Sequence, residues 1–177
     1  MKGEGDKVRL ERLGGSAFEE VWEIMRDSFP VDERRDYVGQ ERLLQESHYR
    51  LYGWRQGGRL AAFIAVWEFT DFSFVEHFAV EQHHRNGGIG AKLLGELPGE
   101  KPVILEVEPP VDDLPRRRIG FYARNGFAVN GYDYIQPAMS TEGKAIPLKI
   151  MSRPRALTPQ EFEHVRNTLY RYVYKII

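Results

Sequence analysis

The spacing of apolar residues changes period several times along the chain, and each change marks a predicted element. Residues 7–13 (KVRLERL) alternate, with Val8, Leu10 and Leu13 as the apolar positions, and predict a half-buried strand. Phe18, Val21, Trp22, Met25 and Phe29 then fall on one face at helical spacing. Ser16 with Glu19 forms a capping box ahead of that helix, and Pro30 stops it. A charge-dense stretch from Asp32 onward predicts a second, short helix. Residues 49–56 and 59–69 read as two strands joined by the two-residue turn Gly57-Gly58. The run LAAFIAVW in the second suits a strand buried on both faces at the centre of a sheet.

Residues 74–80 form the next strand, so three strands on short turns predict an antiparallel meander. The helical pattern AKLLGEL follows, and then the strand PVILEVE (residues 102–108), stopped by Pro109 and Pro110. Strand, helix, strand in that order implies a crossover and a parallel pair. Residues 112–124 predict a helix starting around Pro115 and closed by Asn125-Gly126. Residues 127–134 and 146–152 predict an antiparallel pair that closes the sheet. After a linker at 153–157, Thr158, Pro159 and Glu161 open a last helix with a capping box and a proline at its first position. Its apolar face is Phe162, Val165, Leu169, Tyr172, Val173 and Ile176. The class is α+β, with a mixed, mostly antiparallel sheet.

Composition narrows the chemistry. The 177 residues suffice for one well-buried domain, and 25 basic against 26 acidic residues imply no nucleic-acid partner. With no cysteine there is no disulfide, thiolate nucleophile or thiolate metal site, and no spaced His/Asp/Glu set predicts a metal. Neither a signal-peptide core nor a membrane-length apolar run occurs, so a soluble, cytoplasmic protein is expected.

The junction between the strand at 74–80 and the following helix carries the first specific signal. After the polar turn EQHH comes RNGGIG, where Gly87, Gly88 and Gly90 let a ligand approach the backbone. Unpaired N–H groups at a helix start favour an anion, and a diphosphate is the natural guest. The spacing is neither a dinucleotide G-x-G-x-x-G nor a P-loop, because Lys92 comes two residues after Gly90 and is followed by Leu93. Arg85-x-x-Gly88-x-Gly90 after EHFAV resembles the acyl-CoA pyrophosphate loop of the GNAT N-acetyltransferase superfamily. A second segment, Phe121-Tyr122-Ala123-Arg124-Asn125-Gly126-Phe127, is similar to that family's helix-to-strand motif, and the two stand in the family's order.

The resemblance implies a GNAT fold over residues 1–153, with 154–177 an added helical extension that packs on the same domain or on a partner, so a homodimer is admitted. It implies acetyl-CoA as acyl donor, held by Phe78, Ala79, Val80, Arg85, Asn86, Gly87, Gly88, Ile89, Gly90 and Ala91, with no metal. The implied activity is transfer of an acetyl group to a primary amine, on a small molecule or peptide, by direct attack in a ternary complex. The missing cysteine agrees, since no acyl-enzyme is needed. The segment after the first helix is one wall of the acceptor groove in such proteins, which makes Asp32, Glu33, Arg34 and Arg35 candidates for acceptor contacts. The reading from another class is an acyl-CoA-binding regulatory module with little or no turnover.

The chemistry asks for a base, a polarised carbonyl and an acid. A lysine-like amine is mostly protonated at pH 7, and freeing it takes about 4–5 kcal/mol, against about 1 kcal/mol for an α-amine. A bulge near Phe78 would free a backbone N–H to polarise the carbonyl. Tyr122, a protonated phenol in the motif position of the family's general acid, is the candidate donor to the thiolate. Three carboxylates compete as base. Glu106 ranks first, because it sits inside an apolar strand and resembles the base of bacterial N-terminal-amine acetyltransferases. Glu76, expected on the same face as Phe78, ranks second, and Glu108 third. His77 is expected on the opposite face from Glu76, and His77, His83 and His84 read as structural or surface residues.

Overall fold

The structure is a computed structural model and describes residues 8–177. Lys7, the start of the first predicted strand, lies outside them. Of that strand, β1 keeps Glu11–Arg12, paired with Gly53 and Tyr52. Helix α1 (Phe18–Ser28) turns Phe18, Val21, Ile24 and Met25 inward. The expected capping box at Ser16 is not formed. A short 3-10 turn, Gly15–Ala17, precedes the helix and moves its start one residue on, while Glu19 instead accepts a hydrogen bond from the Tyr37 hydroxyl. The second helix, α2 (Tyr37–Arg42), is capped by Asp36, whose side chain accepts from the Gly39 N–H.

The meander is as the pattern predicts. β2 (Tyr49–Gln56) and β3 (Arg59–Glu68) join through Gly57 and Gly58, both at positive φ, and β4 (Ser73–Val80) follows. α3 (Ile89–Gly95) crosses over to β5 (Val103–Val107), which pairs with β4 in parallel. α4 (Asp113–Arg124) leads to β6 (Ala128–Val129), β7 (Tyr134–Gln136) and β8 (Ile146–Arg153). The expected strand at 127–134 is thus two pieces. The chain breaks at buried Asn130, whose side chain donates to the Ile150 carbonyl and Ser152 hydroxyl and accepts from the Leu157 N–H.

The sheet runs β1-β2-β3-β4-β5-β8-β6, with β7 also on β8. Its two faces carry separate cores. α1 and α5 (Pro159–Thr168) cover one face, over Phe63, Trp67, Phe74, Ile104 and Ile150. α3 and α4 cover the other, over Ile64, Val66, Val75, Leu105 and Met151. Each such side chain contributes about 1.5–3 kcal/mol when fully buried, so β3, covered on both faces, anchors the fold. The Thr158 capping box that opens α5 is present. No helix of the described residues is long and apolar enough to cross a membrane.

Candidate active site

β4 and β5 are paired only at Ser73↔Val103, Phe74↔Ile104 and Val75↔Leu105, and then part. The cause is legible in the register on the other side of β4. Val66 pairs with Val75 but Ala65 with His77, so Glu76 is an extra, bulged residue. A bulge bends its strand and increases the local twist, which carries the C-terminal half of β4 away from β5. The resulting gap opens a cavity of about 530 Å³ that reaches both faces of the sheet.

Two expectations change at the bulge. Glu76 and His77 point to the same face, with a ring nitrogen and a carboxylate oxygen 3.6 Å apart, where strict alternation would separate them. Phe78 then lies on the opposite face from Glu76, packed with the α3/α4 core. The backbone gains what the chemistry asked for. Glu81 N–H donates to the Ala61 carbonyl at 2.8 Å, and bonded pairs alternate along an antiparallel ladder. The N–H groups of Phe78 and Val80 therefore point away from β3, into the gap. The Val80 carbonyl on that side accepts from Arg85 Nε at 2.8 Å, which ties the glycine loop to the strand.

In that loop Asn86 and Gly88 have φ of 68° and 71°. A Cβ on Gly88 would meet nothing within 4 Å, so the space over the start of α3 is open to a ligand. Gly90 serves packing as well, since its Cβ would come within 3.1 Å of the Phe121 ring. Phe78, Ala79, Val80, Arg85, Asn86, Gly88, Ile89 and Gly90 line the cavity, while Gly87 and Ala91 stand outside its wall. A narrow gap with inward N–H donors, ending at an open glycine turn, fits an extended acyl-CoA arm and its diphosphate. Among the described residues no group of three His, Asp or Glu could hold a metal ion.

The candidate acid and bases reach the cavity from opposite sides. Tyr122 on α4 enters from the α3/α4 face, and burial pushes its phenol up to about 12. Glu106 on β5 lies on the α1/α5 face, with Ile104. It is partly buried and accepts hydrogen bonds from the Tyr134 hydroxyl and from the Tyr174 hydroxyl, the latter at 2.7 and 2.8 Å. Burial raises its carboxyl to about 7, against the opposing effect of the two hydroxyls. Glu76 differs. Burial alone would raise it too, but Arg35 Nη1 lies 2.8 Å away and holds it at about 2. One Glu76 oxygen and the neighbouring His77 Nδ1 are buried without a hydrogen-bond partner. Glu108, half-exposed past the end of β5, stands 3.9 Å from Arg118.

The four acceptor-wall candidates separate. Asp32 and Arg34 brace loops, through the Lys144 N–H and the Phe29 carbonyl respectively. Arg35 is the buried partner of Glu76. Glu33 lines the cavity, and burial and the adjoining Glu108 carboxylate both raise its pKa. His77 is buried with Nε2 against the Glu33 carbonyl, while His83 is exposed and His84 meets Glu81. Tyr134, Tyr174 and Gln136 were not foreseen. Tyr134 could have been found from the alternation of YIQ, but nothing in the helical period points to Tyr174.

Residues 47–129 match the family model described as an acetyltransferase (GNAT) domain. A solved GNAT-family protein of Bacteroides thetaiotaomicron is 29% identical, with a TM-score of 0.87 over 96% of this chain and 99% of that one. The ribosomal-protein-S18-alanine N-acetyltransferase of Escherichia coli shares the fold at 20% identity and a TM-score of 0.59, over 85% and 96% of the two chains. Naa50 of Arabidopsis thaliana, solved with the bisubstrate analogue CoA-Ac-MVNAL, does so at 15% identity and a TM-score of 0.59, over 81% and 96%. No curated protein sequence matches this chain. Residues 47–129 thus carry the match to a GNAT acetyltransferase domain, and nearly the whole chain is similar in structure to a GNAT-family protein.

Proposed function

We propose that the protein is an acetyl-CoA-dependent N-acetyltransferase in which Glu106 is the base, Tyr122 the thiolate-side donor, and acceptor and donor meet in the gap between β4 and β5. One observation carries this reading. A carboxylate of raised proton affinity and a protonated phenol reach one cavity from opposite faces of the sheet. Bound acetyl-CoA would supply an activated acyl group, and Phe78 and Val80 N–H are the donors for its amides and carbonyl. Arg85, Asn86 and Gly88 would hold its diphosphate.

On the acceptor side, an amine that arrives as an ammonium loses two protons on the way to the amide. Glu106 takes the first, which frees the lone pair for attack. The second leaves the nitrogen once it has bonded to the acyl carbon and the carbon–sulfur bond breaks, and it passes to the departing thiolate or to solvent. With a carboxyl near 7, accepting from an α-ammonium near 8 is uphill by about one unit, or ~1.4 kcal/mol. From a lysine ammonium near 10.4 it is uphill by over three units, or about 4–5 kcal/mol. The match favours an acceptor of low basicity, an N-terminal α-amine above all. On the donor side, a phenol near 12 lies about three to four units above an ordinary thiol. Tyr122 therefore stabilises the departing sulfur by donating a hydrogen bond as its charge develops, without surrendering the proton outright. Glu76, ionised and clamped by Arg35, is a fixed counter-charge.

The test is release of CoA from acetyl-CoA with four amines: an Ala-starting peptide, an N-blocked lysine peptide, spermidine and kanamycin. Amine-dependent release is expected, fastest with the free α-amine near neutral pH. Binding of acetyl-CoA with no release for any primary amine would instead favour the regulatory module.

A further inference from the structure

The family match ends at residue 129, yet both hydroxyls that hold Glu106 come from beyond it. Tyr174 arrives by an unusual route. α5 runs into a π-helical turn, Leu169–Val173, closed by the Tyr174 N–H donating to the Leu169 carbonyl five residues back at 3.0 Å. A π turn takes up an extra residue, so the side chains after it are rotated relative to an uninterrupted α-helix. Val173 and Tyr174 go inward, at 3% and 9% exposed, while Tyr172, which a plain helical period would bury, stands at 43%, and Ile176 lies past the end of the helix. The Val173 carbonyl accepts from Arg35 Nη2 at 3.0 Å, and the other Arg35 terminal nitrogen holds Glu76. One turn of the C-terminal segment thus touches the partly buried Glu106 carboxylate directly and the buried Glu76 carboxylate through Arg35.

A hydrogen bond donated to a carboxylate favours its ionised form. Glu106 needs that help. Around it stand Glu76 on β4, which opposes its ionisation, and Arg35 between α1 and α2, which assists it. Tyr134 faces it from β7 and Tyr174 from the C-terminal turn, with Glu33 and Glu108 further along the cavity. Without the two hydroxyls, a carboxyl largely withdrawn from water beside the Glu76 charge would stay protonated through neutral pH and could take no proton from an amine. We propose that Tyr174 and Tyr134 are positioning residues that keep the Glu106 carboxylate ionised and oriented at neutral pH, and that the C-terminal π turn is the device that delivers Tyr174. The catalytic meaning of this rests on Glu106 as the base.

The test is a carboxyl titration by carbon NMR on protein labelled with [5-13C]glutamate, in wild type, Tyr174→Phe and Tyr134→Phe. The resonance missing from Glu106→Gln identifies the group. Each tyrosine variant removes one oxygen and keeps the ring, and thermal unfolding checks that it folds. The Glu106 midpoint is expected to rise by about one unit or more in each variant, the worth of a hydrogen bond to a charged group. An unmoved midpoint in both overturns the proposal. A rise in Tyr134→Phe alone overturns the role of the π turn. If Tyr174→Phe does not fold, an unmoved midpoint in Tyr134→Phe is sufficient to refute the tuning. The titration is read on the free protein without an amine, so its failure is distinct from failure of the acetyl-transfer reading.

Discussion

Replacing Glu106 by glutamine should make the protein more stable than wild type as the pH rises, and the size of the effect follows from the site. The carboxyl is largely withdrawn from water, and its proton affinity in the folded state is raised from 4.5 to about 7. Between those values the folded state binds more protons than the unfolded one. Stability from this group is therefore fully present below about pH 4.5 and is lost as pH rises through 7. The difference of about 2.5 units corresponds to roughly 3 kcal/mol. Glutamine is nearly isosteric, can accept from Tyr134 or Tyr174 and does not titrate, so other groups largely cancel in the comparison. Urea unfolding of both proteins at pH 5, 6, 7 and 8 reads the effect. The stability difference should move by about 2.5 kcal/mol towards the variant across that range, mostly between pH 5 and 7. A constant difference would mean that Glu106 has an ordinary proton affinity, and the case for it as base would fall with that result. Turnover should move the opposite way. Glu106→Gln should lose activity at pH 7 and recover near pH 8 for an α-amine acceptor, or nearer 10 for a lysine-like one, where the amine deprotonates unaided.

Three further outcomes are expected. Gly88→Val, at a φ of 71°, should retain a folded core but lose acetyl-CoA binding by calorimetry, whereas wild-type affinity in the folded variant would remove the loop from the cofactor site. Tyr122→Phe should lower kcat by about 10²–10³-fold, the worth of one donor to developing charge, with little change in CoA affinity; a loss of binding with kcat intact would make it a packing residue. Glu76→Gln should lower the unfolding free energy at pH 7 by about 3–5 kcal/mol, because it leaves Arg35 buried without its counter-charge. In wild type the contribution of Glu76 should be present above pH 4.5 and lost as pH falls towards 2, so a loss at pH 7 below about 1 kcal/mol would refute the pair.

Much of the frame was determined by local sequence. The hairpin at Gly57-Gly58, the doubly buried run of β3, the parallel crossover through α3 and the capping box of α5 all rest on residues close in the chain, and the structure has each. The RNGGIG and FYARNGF segments were legible for the same reason, since a turn's backbone needs are met by the residues within it. Tertiary structure decided the rest. The bulge at Glu76 arises from how β4 matches the register of β3, and no period within β4 announces it; it turns Glu76 and His77 to one face and parts β4 from β5. Glu76 and Glu106 look alike as acids within apolar strands, but Arg35, 41 residues before Glu76 in the chain, pushes one down to about 2 while burial lifts the other to about 7. The slip at Leu169–Val173 brings Tyr174 to Glu106 across 68 residues of chain. Hydrophobic periodicity reports which face a residue shares with its neighbours. A proton affinity depends on which charges and donors lie within a few ångströms, and those came from distant segments.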